Sequence, residues 1–416
     1  MMRRLALFAL LYCWLLGPRF VFFDIMWMTV FAVAIASPLV SAHRVVSAWP
    51  MNMLWLFATV LGIYSVGIAL ANGSMNFGYG LSWFKAAVFA YSAAAVVLLY
   101  RRVYGVYSLE KLIRDVIVAA AISGLITLVI FVTPPIREIT GSIIIGTVAN
   151  THFGQIGLRA YDLSLGGGTA YGVFNLLVML MLYHCKSLFG PKTRILLFLL
   201  LAVVNFLSAR GAFATTALLL LLGFAFNPTP RKWGPAVGHT LMLGLGSAIL
   251  VICAASFGAL PSLADSDKAS DFVDNTLPWA FELFLNEDKG DGLSSGTTDH
   301  IVEEFFFPET ISGFLFGVGN PDPMSDSGLV RTVFAVGLLG LFLHLAIVAG
   351  FWRVAMGRIP MAVERRMLSM CVALLLIFNF KELIFSNSRG LFGLFALIFF
   401  AVLLLHPARQ STANEN

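Results

Sequence analysis

The sequence predicts an all-α, polytopic membrane protein with about 12 transmembrane helices and one large outer loop. Three observations carry that prediction. Of the 416 residues, 59% are hydrophobic and 12% are charged, against roughly 25% charged in an ordinary soluble domain. Apolar runs fall at 5–16, 20–42, 51–71, 82–100, 111–133, 167–185, 193–208, 211–226, 237–257, 328–351, 366–386 and 390–405, and many approach the roughly 20 residues that span hydrocarbon. With the N-terminus placed inside, 17 of the 27 basic residues fall on inner segments, as the positive-inside rule requires. Both termini then lie inside.

Taken in order, the runs divide the chain into three parts. Residues 1–257 hold helices one to nine, with an outer loop at 134–166. The opening MMRRLALFALLYCWLLGP has the basic start and apolar stretch of a signal peptide but no small-x-small cleavage site, so it reads as an uncleaved, short first helix. Residues 258–327 form the large loop, with 14 of the 22 acidic residues and two lysines. Residues 328–416 hold the last three helices and a short inner tail. Cys13, Cys185, Cys253 and Cys371 all sit in or at the ends of apolar runs and read as small packing residues. The GGG at 166–168 reads as a helix-start hinge. NEDKGDG at 286–292 lacks the spacing of an EF-hand, and neither a zinc motif nor a P-loop is present.

Ten basic residues break the inside bias: Arg19, Lys85, Arg137, Arg159, Arg210, Lys268, Lys289, Arg331, Lys381 and Arg389. Two of them sit in matching phrases, FLSARGAF around Arg210 and FSNSRGLF around Arg389. The run 195–226 is flanked on both sides by inner-type charges and must go out and return, turning near Ser208-Ala209-Arg210-Gly211. Each arm of about 15 residues gives roughly 23 Å of helix, short of roughly 30 Å of hydrocarbon. Arg210 is therefore expected below the outer surface, and Arg389, before a similarly short helix, at a similar depth. A guanidinium there implies water, a carboxylate such as Glu382, or an anionic ligand. With Arg159, Arg331 and Lys381 at the same membrane end, the set suits a phosphate-rich ligand.

Within the large loop, DFVDNTLPWAFELFL (271–285) reads as an amphipathic helix on the membrane interface. In TTDHIVEEFFF (297–307), His300, Glu303 and Glu304 fall at i, i+3 and i+4. One helix face then carries an imidazole and a carboxylate, enough for a proton acceptor and its orienter, although solvated surface pairs share that pattern. Asp326, at the end of the loop, is a further acidic candidate.

The stretch LFGVGNPDPMSDSGLVRTVFAVGLLGLFL resembles the FG-x-G … D-S-G … G-L-x-G signature that closes the large outer loop of the bacterial O-antigen polymerase and ligase superfamily. NFLSARGAF resembles that family's T-x-S-R-G hairpin, and LRAYDLSLGGGTAYGVF its R-x-x-G-L entry to a middle helix. The ligase-like S-G-R and His-Asn pairs are replaced by Ser295-Gly296-Thr297 and Asp326-Ser327, which favours a polymerase. The resemblance implies a GT-C-like fold with a periplasmic large loop, in the bacterial inner membrane. It implies a metal-independent glycosyltransferase without a cofactor that uses a glycan on undecaprenyl diphosphate. Arg159, Arg210, Arg331, Lys381 and Arg389 would hold the diphosphate, and His300, Glu303, Glu304 and Asp326 would supply the base. Expected partners are the lipid-linked oligosaccharide, membrane lipids and a chain-length regulator protein, with no nucleic acid. The alternatives are a ligase that transfers the glycan to lipid A core, a lipid-linked oligosaccharide flippase, and a structural membrane subunit.

Overall fold

Most of the expected apolar runs that fall among residues the structure describes are helical, the run at 20–42 being the main exception. The computed structural model describes residues 2–48, 51–144, 160–165, 169–185, 187–208, 305–320, 323, 325, 327–358, 362–379 and 389–405. No strand occurs among them, and an antiparallel bridge pairs Phe20 with Ile144. Among the described residues, four helical stretches are long and apolar enough to cross a membrane: Met51–Ala71, Gly78–Val132, Pro191–Ser208 and Gly328–Gly357. Four more apolar helical stretches are shorter, at Ile25–Val40, Ala170–His184, Met367–Asn379 and Leu391–Leu405. The protein is a helical membrane protein. The expected spans at 211–226 and 237–257, and the interfacial helix at 271–285, lie outside the described residues.

The chain forms two compact units. The first comprises Met1–Gly17, Asp24–Val116 and Thr297–Asn416. It contains α1 (Met2–Leu16), α2 (Ile25–Ala36), α3 (Ala42–Val46), α4 (Met51–Ala71), α5 (Gly78–Tyr104) and the first turns of α6 (Ser108–Val132). Later elements complete it: α10 (Ile311–Phe316), α11 (Gly328–Arg358), α12 (Ala362–Asn379) and α13 (Arg389–Leu405). The second unit, Pro18–Phe23 with Ile117–Gly296, holds the rest of α6 and three helices. These are α7 (Pro134–Ile143), α8 (Thr169–His184) and α9 (Pro191–Ser208).

In the first unit α5 is the hub, packing against α1, α2, α3, α4 and α13. Its sequence explains why. Ala86, Ala90, Ala93, Ala94 and Ala95 are buried, with Ser82 and Ser92, and small side chains let neighbouring helices approach closely where hydrocarbon offers no hydrophobic drive to bring them together. Trp14 of α1 is fully buried against this stripe. Its indole Nε1 donates to Ser92 Oγ at 3.0 Å, and its ring meets Phe89 edge-on at 5.9 Å. The first helix is thus part of the core. At the far end of α5 the chain reverses at Gly105 (φ +58). A continuous helix would hold residues 100 and 115 about 22 Å apart. Instead Tyr100 donates to Asp115 Oδ2 at 2.8 Å.

The expected single run 20–42 is in fact interrupted. Asp24 caps α2 by accepting from Trp27 N–H at 3.0 Å, and a 3₁₀ turn from Ser37 leads to Ser41 at φ +61, after which α3 begins. Pro38 at the start of that turn removes a donor that the helix would need.

The longest helix, α11, is broken at Gly337 (φ +68, ψ −176). The break leaves arms of 9 and 21 residues, or about 14 Å and 31 Å, so the longer arm matches the hydrocarbon thickness. The segment after α10 fills the break. Val318 N–H donates to Phe334 O at 2.9 Å, across the interruption. A Cβ on Gly337 would lie 2.3 Å from Leu315 O, and one on Gly319 (φ +73) would lie 2.4 Å from Ala69 Cα of α4. Tyr64 of α4 also donates to Phe316 O at 2.8 Å. The FGVG phrase is thereby a joint that fastens α4 to the broken helix.

Gly319→Ala should therefore lower thermal stability in detergent by several degrees, because both the backbone angle and the contact with Ala69 forbid a Cβ. Gly357→Ala, on α11 with nothing within 4 Å of the new methyl, should be neutral or stabilising by up to about 1 kcal/mol. Equal melting temperatures for the two variants would contradict the joint.

Candidate functional site

Unit two holds a short strap, residues 160–165, that enters the bundle between α7 and α8. The sequence places it in an outer loop, yet Ala160, Tyr161, Asp162 and Ser164 are buried. Buried backbone polar groups need partners, because an unpaired one costs about as much as a lost hydrogen bond. The strap is held by both backbone and side-chain bonds. Ala160 N–H donates to Leu207 O near the end of α9 at 3.1 Å. Tyr161 OH donates to Arg137 O of α7 at 2.9 Å and lies 2.8 Å from Thr140 Oγ1. Leu163 O accepts from Arg19 N–H at 2.9 Å.

Asp162 is the strap's anchor. Its Oδ2 accepts from the backbone N–H groups of Ser164 and Leu165 at 2.8 and 2.9 Å, an Asx turn. Its Oδ1 accepts from the Ser123 hydroxyl of α6. Burial pushes its carboxyl above the usual carboxylate range, while the bonds from Ser123, Leu165 and Ser164 pull the other way. Around it lies a polar patch inside apolar helices. Tyr171 OH of α8 sits 3.1 Å from Thr127 Oγ1 and 3.5 Å from Ser123 Oγ. Asn175, one helical turn beyond Tyr171, is fully buried. Ser164 Oγ and Ser208 Oγ are buried with no hydrogen-bond partner among the described residues.

The strap bears directly on two expected ligand residues. Arg159 and Arg210 themselves lie outside the described residues. The described chain comes together one residue after the first and three residues before the second, through the Ala160–Leu207 hydrogen bond. Of the remaining candidates, His300, Glu303, Glu304, Asp326 and Lys381 lie outside the described residues. Arg389 opens α13, and its side chain is also outside them. Arg331 is half-buried in the first turn of α11, where its N–H donates to Ser327 O at 2.9 Å. Ser327 Oγ accepts from Val330 N–H at 3.4 Å and begins that helix. Arg331 and Arg389 belong to the first unit, Arg159 and Arg210 to the second.

Arg137, another cation off the inner side, has a structural use. Its guanidinium donates to Phe131 O near the C-terminus of α6 at 3.2 Å, where a cation complements the free carbonyls. Its helix is a correction to the loop expected at 134–166. Pro134 starts α7 at the position that lacks a donor anyway, and Ile136, Ile139 and Ile143 give it an exposed apolar face.

The first unit has a buried polar group of its own. Tyr79 OH and His344 Nδ1 are 2.9 Å apart, both side chains are buried, and the Trp83 ring stands perpendicular to the imidazole at 5.1 Å. Among the described residues no group of three or more His, Cys, Asp or Glu side chains is placed to hold a metal ion.

Sequence reasoning missed Asp162, Ser123, Thr127, Tyr171 and Asn175. A signal existed. Ser123 and Thr127, and Tyr171 and Asn175, are polar pairs at i, i+4 inside apolar helices, the spacing that puts two polar groups on one helix face. Comparison of the chain with protein-family profiles, with curated proteins and with solved structures gives no match in any of the three.

Asp162→Ala should cost about 1–3 kcal/mol, because it removes the acceptor of the buried Ser164 N–H, the half-buried Leu165 N–H and the Ser123 hydroxyl. Asp162→Asn should cost less, since its amide oxygen still accepts from the Asx turn. Thermal unfolding of the three proteins in one detergent checks this; an Ala variant as stable as wild type would remove the anchor role.

Proposed function

We propose that this chain is a multi-pass enzyme of the bacterial inner membrane, with about 12 spans and a GT-C-like arrangement. Its activity would be to polymerise undecaprenyl-diphosphate-linked oligosaccharide repeat units at the periplasmic face. The glycosidic bond to the diphosphate oxygen breaks and its electron pair leaves with the diphosphate. The anomeric carbon bonds to a sugar hydroxyl of a second lipid-linked unit, and that hydroxyl's proton passes to a base drawn from His300, Glu303, Glu304 and Asp326. Negative charge grows on the leaving diphosphate, and fixed guanidinium groups in a low-dielectric recess favour the transition state most.

The observation that supports this reading best is the hydrogen bond between Ala160 and Leu207, which ties together the flanks of Arg159 and Arg210. Asp162 also braces the strap that follows Arg159 through its Asx turn, and a cation needs no rearrangement during the reaction only if its flanks are held. The flippase alternative draws less support. Transporters coordinate ions through the carbonyls of broken helices, but the Phe334 carbonyl at the break in α11 is taken by Val318 N–H.

The test is incubation of the purified chain with a synthetic lipid-diphosphate repeat unit. A ladder of longer glycans supports polymerisation, a product on lipid A core supports ligation, and leaflet exchange without new bonds supports flipping. Arg210→Ala and Arg159→Ala should each cut turnover by about 100-fold. Lysine should rescue only in part, because it lacks the planar fork that grips a phosphate. Near-normal ladders from both alanine variants would overturn the proposal.

The topology is tested separately. A cysteine introduced at Ser294 should react with a membrane-impermeant thiol reagent in intact spheroplasts. Protection until the membrane is broken would place the large loop on the other side.

A further inference from the structure

A recess of about 620 Å³ opens at one end of the first unit, lined by Met2, Arg3 and Arg4 of α1 and Arg102 and Val103 of α5. Three of its five lining residues are arginines, and no carboxylate lines it. Their surroundings hold two of them ready for a ligand. The Arg4 guanidinium lies over the Tyr104 ring, 5.5 Å from its centre, a cation–π contact that holds its position without using any of its N–H donors. Arg102 donates one N–H to Leu39 O at 3.3 Å, which sets its direction and uses only one of its five donors. Among the described residues neither arginine forms an ion pair, nor does Arg3. Like charges gathered in one recess repel one another, and an anion relieves that repulsion.

The surroundings decide which anion. Met2, Leu5, Val106 and Tyr107 are all more than half exposed, and they flank the lining residues in sequence. A free phosphate would leave these exposed apolar side chains in water. A phosphate carried on acyl chains would satisfy the guanidinium groups and let the chains cover apolar neighbours such as Met2, which lines the recess. We propose that this recess binds the phosphodiester headgroup of an anionic phospholipid, with Arg3, Arg4 and Arg102 on the phosphate and the acyl chains against the neighbouring apolar side chains. The proposal is independent of the glycan chemistry above.

The test uses the full chain in nanodiscs of phosphatidylcholine containing 20% of a photoactivatable phosphatidylglycerol, about one lipid in five, as anionic competitor for the basic patch. Cross-links on wild type should concentrate in peptides containing residues 2–5 and 102–107, and Arg3→Gln/Arg102→Gln should lower them at least five-fold. Photoactivatable phosphatidylcholine should not show that enrichment. In detergent, phosphatidylglycerol should raise the melting temperature of wild type by several degrees, and equal concentrations of inorganic phosphate should not. Cross-links spread evenly over the protein, or unchanged in a folded double variant, overturn the proposal. A stabilisation reproduced in full by inorganic phosphate also overturns it, assigning the recess to a soluble anion instead. Should the double variant fail to fold, the map of cross-links on wild type alone decides.

Discussion

A buried backbone N–H or C=O that leaves a helix must find a protein partner or cost several kcal/mol, and this requirement shapes two interruptions among the described residues. At the break in α11, Val318 N–H serves Phe334 O, and Tyr64 OH serves Phe316 O in the segment that fills the break. In the 160–165 strap, Ala160 N–H reaches Leu207 O, Leu163 O receives Arg19 N–H, and one carboxylate takes the two N–H groups that follow. At both interruptions, groups far apart in sequence supply hydrogen bonds that a continuous helix would have made within itself.

Much of the helical framework is legible in the sequence because a spanning helix announces itself by a run of apolar residues. The run at 51–71 is α4, residue for residue, and 193–208 lies within α9. What the runs conceal is the backbone inside them. Nothing in TVFAVGLLG marks Gly337 as a break; its neighbours are as apolar as any helix interior, and only contact with Leu315, distant in sequence, reveals why a Cβ is excluded. The strap is hidden for the opposite reason. YDLSL is polar and short and reads as loop, and its burial depends on partners that lie on separate elements: Ser123 on α6 and Thr140 on α7.

The candidate site was only partly readable. Arginines in hydrocarbon-length runs stand out by cost alone, so Arg210 and Arg389 are visible without any structure. The polar residues that brace the strap after Arg159 are ordinary serines, a threonine, a tyrosine and one aspartate. Each is unremarkable singly and meaningful only as a set, since a hydroxyl in an apolar helix is often bonded to its own preceding turn. The same limit applies to Arg137, which looks like an outer cation in sequence and serves as a helix cap in space.

The joint between α4 and the FGVG segment also sets an order of assembly. Tyr64 and Phe316 are 252 residues apart, and at ribosomal speeds about 10–50 s separates their synthesis. During that interval α4 stands in the bilayer with its docking surface at Ala69 uncovered. The late-made partner must find it by diffusion in the membrane plane. A close-packed, glycine-dependent fit is hard for any other helix to imitate, so the glycines that make the joint tight also protect the waiting helix from the wrong companion.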